Sequence, residues 1–225
     1  MVRWIILGSV AVSFFHTASL FSADSNPPVK VWYVGLSAGY SQPYFFGLIN
    51  DIHVTAPASF SPGVLAGREA HLAGSHFYGF EIFTSRSLAT EASRQNFVPT
   101  FSAQYPAGAT IRYTNIAQTL GIIALTYRYV LNDWLSLVGK LGAGVRHLHA
   151  AISLETPGAS YNAASPSGAT AILAVALGFE FTSVNWGHLG IFYRSVPPVV
   201  YSVPVGTATV RSADAVALEW RMFFR

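Results

Sequence analysis

The sequence lacks cysteine entirely and carries little charge. Without cysteine, neither a disulfide framework nor a thiolate metal site can form. Charged residues make up 10% of the chain, against roughly 25% in typical soluble domains. Hydrophobic residues make up 52%, and the mean hydropathy is +0.40. This composition is too apolar for an ordinary soluble domain and indicates a membrane protein.

Long apolar runs are also missing beyond the extreme N-terminus. Every such run is interrupted by Arg, Lys, Glu, Gly or Pro before it reaches the ~18 to 20 residues that a spanning helix needs. A closed β-barrel is the other structure that can span a bilayer with its backbone groups hydrogen-bonded. The basic residues are scattered and the net charge is only +3, so we expect no nucleic-acid partner.

The first residues have the order of a secretory signal peptide. Arg3 precedes an apolar run at 4–15, and a stretch of small and polar residues follows. This order is typical of signals for export through the Sec pathway. We therefore predict a signal peptide at 1–23 and one membrane domain at 24–225. Cleavage near Ser19 remains an alternative to cleavage after Ala23.

The rest of the chain alternates apolar residues with small or charged ones. In the segment 169–181, Leu173 and Leu177 alternate with Ala174 and Gly178. A period of two residues is typical of strands whose two faces meet different environments. Similar segments begin near Trp32, Tyr78, Ile123, Trp134, Leu189 and Val216, and a weaker one lies at 60–68. The pattern predicts an all-β fold, an up-and-down antiparallel transmembrane barrel of about eight strands.

The connections between these segments fall into two classes that alternate along the chain. Outer-membrane barrels have short periplasmic turns and longer extracellular loops, so the alternation also predicts an orientation. A soluble barrel is the alternative, but its outward face would then consist of glycine, alanine and scattered charges. The short connections are 69–75, 131–133 and 183–185, and the long ones are 41–59, 87–113, 153–168 and 197–213.

Four segments carry a resemblance to a known family. Three of them open successive strands at 33–40 (YVGLSAGY), 62–67 (PGVLAG) and 77–81 (FYGFE), and the fourth closes the chain at 218–224 (LEWRMFF). They resemble strands of the small opacity-type and OmpA-type outer-membrane barrels of Gram-negative bacteria. In that family the chain usually ends on an aromatic residue, whereas here Arg225 follows.

The resemblance implies residence in the bacterial outer membrane, in contact with its lipids and lipopolysaccharide. It also implies that the barrel-assembly machinery recognises the alternating, aromatic-ended last strand. The residues that match this assembly signal are Trp220, Met222 and Phe224.

Seven charged residues fall on the small-residue face of the predicted strands. On the lipid face, an Arg or Lys at the bilayer midplane would cost ~2 to 4 kcal/mol, so we expect these residues to point into the lumen. An eight-stranded barrel has an interior just wide enough for side chains. Opposite charges packed there predict a plugged barrel, with a narrow channel as the alternative. The seven are Glu81, Arg128, Lys140, Glu180, Arg194, Glu219 and Arg221.

Two groups of residues have the types needed for chemistry. A histidine pair on one strand face could supply two imidazole ligands to a metal, but no third ligand is spaced to join it. A histidine with a serine and a carboxylate could also make a lipid A acyl hydrolase or transferase. Neither group has the His-x-Ser-Asn pattern of the lipid A deacylases, so we expect no catalytic site, metal or cofactor. The groups are His147, His149, Ser153 and Glu155, and His53, Asp51 and Ser59.

The long loops carry aromatic residues beside arginines, which are enriched at protein interfaces. Packing over the barrel mouth is the alternative role for these side chains. Together the patterns predict a non-enzymatic outer-membrane surface protein that contributes to envelope integrity. Through its loops it would take part in adhesion or host interaction. The loop residues include Phe45, Phe46, Phe97, Phe101, Arg86, Arg94 and Arg112.

Overall fold

The structure is a computed structural model of the chain. Within the residues it describes, all regular secondary structure is β-strand, and none of it is a helix long and apolar enough to cross a membrane. The predicted signal peptide, Asp51 and Arg225 lie outside these residues. The described ranges are 30–41, 44–46, 53–55, 59–87, 90–97, 109–156, 159–164, 167–183, 187–196, 199–203, 206–211 and 215–224.

The described strands are of two kinds, eight long ones that form a barrel and six short ones in the long connections. In chain order they are β1 (Lys30–Ser41), β2 (Tyr44–Phe46), β3 (His53–Thr55), β4 (Ser59–Ala73), β5 (His76–Arg86), β6 (Thr90–Phe97), β7 (Ala109–Asn132), β8 (Leu135–Thr156), β9 (Ala159–Ala164), β10 (Ser167–Ser183), β11 (Gly187–Ser195), β12 (Val199–Val203), β13 (Gly206–Arg211) and β14 (Ala215–Phe224).

Eight strands close into a ring of antiparallel neighbours. Around the ring the order is β1, β4, β5, β7, β8, β10, β11 and β14. The first and last strands close the ring, with Leu36 opposite Trp220 and Trp32 opposite Phe224. Each strand therefore pairs with the barrel strand that follows it in the sequence. The prediction of an eight-stranded up-and-down barrel is confirmed.

The alternation places the apolar side chains on the outside of the barrel. Leu173 and Ile123 are each 65% exposed, whereas Ala174 and Ala124, the next residues along their strands, are 5% exposed inside. Large exposed hydrophobic side chains occur on all eight barrel strands. A soluble barrel would turn these side chains inward, so the structure excludes that alternative.

The two ends of the barrel differ. We call the end at which β4 joins β5 and β7 joins β8 the turn end, and the opposite end the loop end. The turns are Gly74–Ser75 and Asp133–Trp134. Gly74 has φ of 54°, a left-handed conformation that favours glycine. In outer-membrane barrels the turn end faces the periplasm and the loop end faces outward.

Aromatic side chains gather on the outside near the turn end. Trp32 packs edge-on against Phe80 with ring centroids 6.2 Å apart, and Arg68 lies over the Trp32 ring at 5.0 Å. Trp134 stacks on Phe181 at 6.0 Å. Such rings form a girdle at the level of the lipid headgroups.

Several connections between strands are shorter in the structure than the sequence predicts. The predicted turn 69–75 is wrong at its start, because Glu69 pairs with Gly79 and β4 continues to Ala73. Likewise β7 begins at Ala109 and β8 ends at Thr156, so this hairpin extends into two predicted loops. At the loop end, β12, β13, β2 and β3 form a separate four-stranded sheet.

Candidate functional site

The inward faces of the strands bring all seven of the charged residues named above into the barrel lumen. Each of them is at most 7% exposed. Successive residues of a strand point to opposite faces, and the outward neighbours of these charges include the apolar side chains of Ile82, Leu141 and Leu218. The structure thus groups these charges in one buried cluster between the turn end and the middle of the barrel.

Lys140 lies at the centre of this cluster, between two carboxylates. Its ammonium group donates to Glu81 Oε1 at 2.7 Å and to Glu219 Oε2 at 2.5 Å. Arg194 donates from Nη2 to the other oxygen of Glu219, Oε1, at 2.8 Å. These contacts link β5, β8, β11 and β14, so the pairs join strands from different parts of the ring.

Arg221 contacts three carboxylates although its side chain is fully buried. Its Nη1 lies 2.9 Å from Glu180 Oε2, and its Nη2 lies 3.2 Å from Glu219 Oε2 and 3.3 Å from Glu81 Oε2. A planar guanidinium with five N–H groups suits such shared contacts better than a lysine would.

Three members of the cluster were not among the predicted lumen residues. Glu69 forms a two-point pair with Arg128, whose Nη2 donates to Oε2 at 2.8 Å. The Tyr33 hydroxyl donates to Glu81 Oε2 at 3.1 Å. His188 Nδ1 lies 2.7 Å from Glu180 Oε1.

With Glu69 included, four carboxylates meet four arginine and lysine side chains in what we call the lumen network. Breaking one pair in such a site costs about 3 to 5 kcal/mol, because the remaining charge is buried without its partner. Every barrel strand contributes at least one member. The members are Tyr33, Glu69, Glu81, Arg128, Lys140, Glu180, His188, Arg194, Glu219 and Arg221.

Aromatic rings pack over the bases of the lumen network. The Arg128 guanidinium lies 4.1 Å from the Phe77 ring centroid, and that of Arg194 lies 3.8 Å from the Phe83 centroid. Lys140 Nζ lies 4.5 Å from the centroid of Phe192. A cation over a ring face is attracted to the ring quadrupole, and these rings also fill space that water would otherwise occupy.

Inward-facing glycines provide the room for these large side chains. A Cβ built on Gly67 would lie 2.4 Å from the Tyr33 ring, and one on Gly190 would lie 2.3 Å from the Phe192 ring. The small residues on the inward faces of the strands therefore leave space for the tyrosine and phenylalanine side chains that pack in the lumen.

Little space remains in the lumen around the network. A cavity of about 20 Å³ is lined by Glu81, Phe83, Lys140 and Arg194, among others. That volume holds about one water molecule. Closer to the loop end, several inward side chains are apolar and tightly buried, among them Leu65, Leu120, Ile122, Leu148 and Ile172. The described lumen thus holds ion pairs toward the turn end and, toward the loop end, apolar side chains together with buried polar ones such as Arg146 and Gln118.

The residues considered for catalysis do not converge. His147 and His149 are exposed on the outer face of β8, and Ser153 and Glu155 follow on the same strand. At ~3.3 Å per residue, the Cα of Ser153 lies about 13 Å from that of His149, too far for a hydrogen bond between their side chains.

Of the second group, Asp51 lies outside the described residues. Ser59 is buried at the loop end, and the side chain of His53 lies outside the described part. Among the described residues, no three potential metal ligands come together. Glu155 pairs instead with Arg112, at 3.0 Å. Arg146 is not one of the predicted lumen residues, but it is buried in the lumen and donates to Gln118 Oε1.

The predicted assembly signal lies on the outward face at the ring closure. Met222 and Phe224 are 49% and 48% exposed, and Trp220 is partly exposed beside them. They pair with Val34, Trp32 and Leu36 on β1. These side chains are accessible from the surrounding bilayer.

Comparisons with known proteins find similarity to solved structures. No protein-family model matches the sequence, and no curated protein matches it significantly. Ail of Yersinia pestis, in complex with the heparin analogue sucrose octasulfate, is 13% identical, with 85% of this chain and 99% of that one covered and a TM-score of 0.40.

Two further solved structures also have low sequence identity to this chain and high coverage. Neisserial surface protein A is 16% identical, with 84% of this chain and 96% of that one covered and a TM-score of 0.40. The outer membrane protease OmpT from Escherichia coli is 7% identical, with 91% and 99% covered and a TM-score of 0.48. By its closed ring of eight strands, its apolar outer face and its charged lumen, the chain is a small transmembrane β-barrel of the outer-membrane type.

Proposed function

We propose that this protein is a plugged, non-enzymatic barrel of the bacterial outer membrane. It contributes to envelope integrity and presents its loops for adhesion or host interaction. The observation that carries the proposal is the lumen network, to which all eight barrel strands contribute. A barrel filled in this way is a rigid support for surface loops and offers no aqueous path.

The filled lumen can be tested by electrical recording. Protein purified and inserted into planar bilayers should give no stable single-channel steps, because the network and the buried side chains closer to the loop end fill the described part of the lumen. A larger porin of known conductance, inserted under the same conditions, is the positive control. Stable steps in the nanosiemens range from the folded protein would contradict the proposal and favour the channel alternative.

The role in the envelope can be tested in cells. A strain that lacks the protein should become more sensitive to bile salts and to large antibiotics that an intact outer membrane excludes. The full chain should restore resistance. A variant with residues 42–58 and 197–213 replaced by short turns should restore it equally, because the barrel itself is retained. Unchanged sensitivity in the deletion strain would contradict this part of the proposal.

The role of the loops needs a separate measurement. The first and last long connections contribute the strands β2, β3, β12 and β13, which form one sheet at the loop end. Displayed on a non-adherent bacterium, the full chain should increase binding to host cells or extracellular matrix. The loop-shortened variant, at equal surface abundance, should not. Equal binding by both would show that the loops are not the adhesive element.

The non-enzymatic character can be tested by mass spectrometry of lipid A. When the protein is expressed in a host whose lipid A is otherwise unmodified, the lipid A masses should stay unchanged. A loss or gain of an acyl chain that disappears in the variant His147→Asn/His149→Asn would establish the enzyme alternative.

A further inference from the structure

The outer rim of the barrel at the loop end has two chemically different sides. On β1, β4, β11 and β14 the exposed rim side chains are aromatic or apolar. Tyr40 is 63% exposed, Val216 55%, Tyr193 50% and Phe60 47%. The rim of β5, β7 and β8 instead carries Arg86, Thr119, His147 and His149, which we call the rim patch.

The strand register places these residues side by side. Arg86 of β5 lies opposite Thr119 of β7, which lies opposite His147 of β8. With neighbouring strands ~4.8 Å apart, Arg86 and His147 are about 10 Å apart along this row. His149 lies on the same face about 7 Å further toward the loop end. Arg86, His147 and His149 are all exposed.

The rim patch lies directly at the edge of the apolar outer surface. On the same face, Ile82, Ile123 and Val145 are 54%, 65% and 50% exposed, two to four residues closer to the barrel middle. Between them and the rim patch lies Gly121, where an added Cβ would meet nothing within 4 Å. The outer surface therefore changes from apolar to polar and basic between these residues and the rim patch, with an open notch at Gly121.

We propose that the rim patch binds the phosphorylated headgroup of a lipid in the outer leaflet, with its acyl chains along the apolar surface below. The proposal rests on the proposed outer-membrane location. Arg86 supplies a fixed positive charge that can donate two hydrogen bonds to a phosphate. The imidazole N–H groups of His147 and His149 can donate hydrogen bonds to the same phosphate.

The charges around the histidines favour an anion. Across β7 they face Thr119 and Ala117, and across β10 they face positions 169 and 167, occupied by Ala and Ser. None of these residues is acidic. Glu155, further along β8, is paired with Arg112 at 3.0 Å. Among the described residues of β7, β8 and β10, none that lies directly opposite His147 or His149 is a carboxylate.

The test measures lipids retained by the folded protein in detergent, by native mass spectrometry. The probes are phosphatidylglycerol and phosphatidylcholine. The first is a phosphodiester with a charge of −1, and the second is zwitterionic. The wild-type chain should retain phosphatidylglycerol in preference to phosphatidylcholine. Arg86→Gln should lower that affinity about fivefold, the effect of one basic residue at an anionic surface.

The histidines are tested by removing their donors. His147→Ala/His149→Ala should lower the affinity for phosphatidylglycerol, because it removes the imidazole N–H groups that can bind the phosphate. The control variant is Arg112→Gln/Glu155→Gln, which keeps the net charge and lies beyond the rim patch on the same hairpin. It should retain lipid like the wild type. Folding of every variant is checked by its heat-modifiable migration on gels.

Three outcomes of the retention measurements would overturn the proposal, and a competition experiment adds a fourth. They are equal retention of both lipids, an unchanged affinity in Arg86→Gln, and an equal loss in the control variant. Displacement of phosphatidylglycerol by inorganic phosphate, at constant ionic strength, would show an anion site rather than a lipid site and would also overturn it. Because all these variants keep the lumen network, such failures would leave the plugged barrel of the proposed function untouched.

Discussion

Glu69 and Arg128 meet inside the barrel across an intervening strand. Arg128 Nη2 lies 2.8 Å from Glu69 Oε2, and Nε lies 3.3 Å from Oε1. Glu69 is on β4 and Arg128 on β7, while β5 lies between them and places Gly79 opposite Glu69. Because Gly79 has no side chain, the two charged groups can reach each other over it.

We expect Glu69→Gln to lower the free energy of unfolding by about 3 kcal/mol, because Arg128 then loses its two-point pair and keeps the more distant contact with Glu180 Oε1, at 3.8 Å. The measurement is urea unfolding in lipid vesicles, followed by tryptophan fluorescence. The control variant Glu69→Leu/Arg128→Met replaces both groups with apolar side chains and should recover most of the stability. If Glu69→Gln is as stable as the wild type, the pair does not stabilise the folded barrel as its geometry indicates.

A second prediction concerns the glycines that face the lumen. Gly190→Ala should destabilise the barrel by about 1 to 3 kcal/mol, because the new methyl group would lie 2.3 Å from the Phe192 ring. Adding Phe192→Leu to this variant should restore part of the loss. Gly121→Ala is the matched control, since its methyl group meets nothing within 4 Å, and we expect a change within ~1 kcal/mol. Equal losses in the two alanine variants would contradict the packing account.

The barrel and most of its lumen could be predicted from the sequence because a two-residue period assigns each strand residue to one face. The alternation placed Glu81, Glu180 and Glu219 inside without any knowledge of their partners. It missed Glu69 because Arg68, beside it, is a base on the outer face, where it lies over Trp32. Because charged residues then occur on both faces of the strand, they interrupt the alternation of apolar with small or charged residues.

The limits of the strands were harder to predict than their faces. Arg146 falls on the inward side if the alternation of β8 is continued past Val145, although the predicted lumen charges do not include it. The partners of each charge also depend on the register between distant strands. Lys140 reaches Glu219 across 79 positions of the sequence, a separation that a local pattern does not encode.

The predicted assembly signal gives a third test, with assembly and stability measured separately. Phe224→Ser should slow barrel formation by cells or by purified assembly machinery, because it removes the last outward aromatic side chain. It should change the rate of spontaneous folding into lipid vesicles far less. Phe181→Ser, at an outward aromatic position of β10, is the matched control and should leave machinery-dependent assembly nearly unchanged. If both variants are delayed equally, the signal is not located at the last strand.

The absence of cysteine allows single thiols to report on the two faces of one strand. Leu173→Cys places a thiol on the outer surface, and Ala174→Cys places one in the lumen, beside the cavity of about 20 Å³. In vesicles, an apolar maleimide that enters the bilayer should label Leu173→Cys. A charged, membrane-impermeant maleimide should label neither variant until urea unfolds the barrel, because ion pairs and apolar side chains fill the lumen. Rapid labelling of Ala174→Cys by the charged reagent in the folded state would reveal a water-filled interior and contradict the plug.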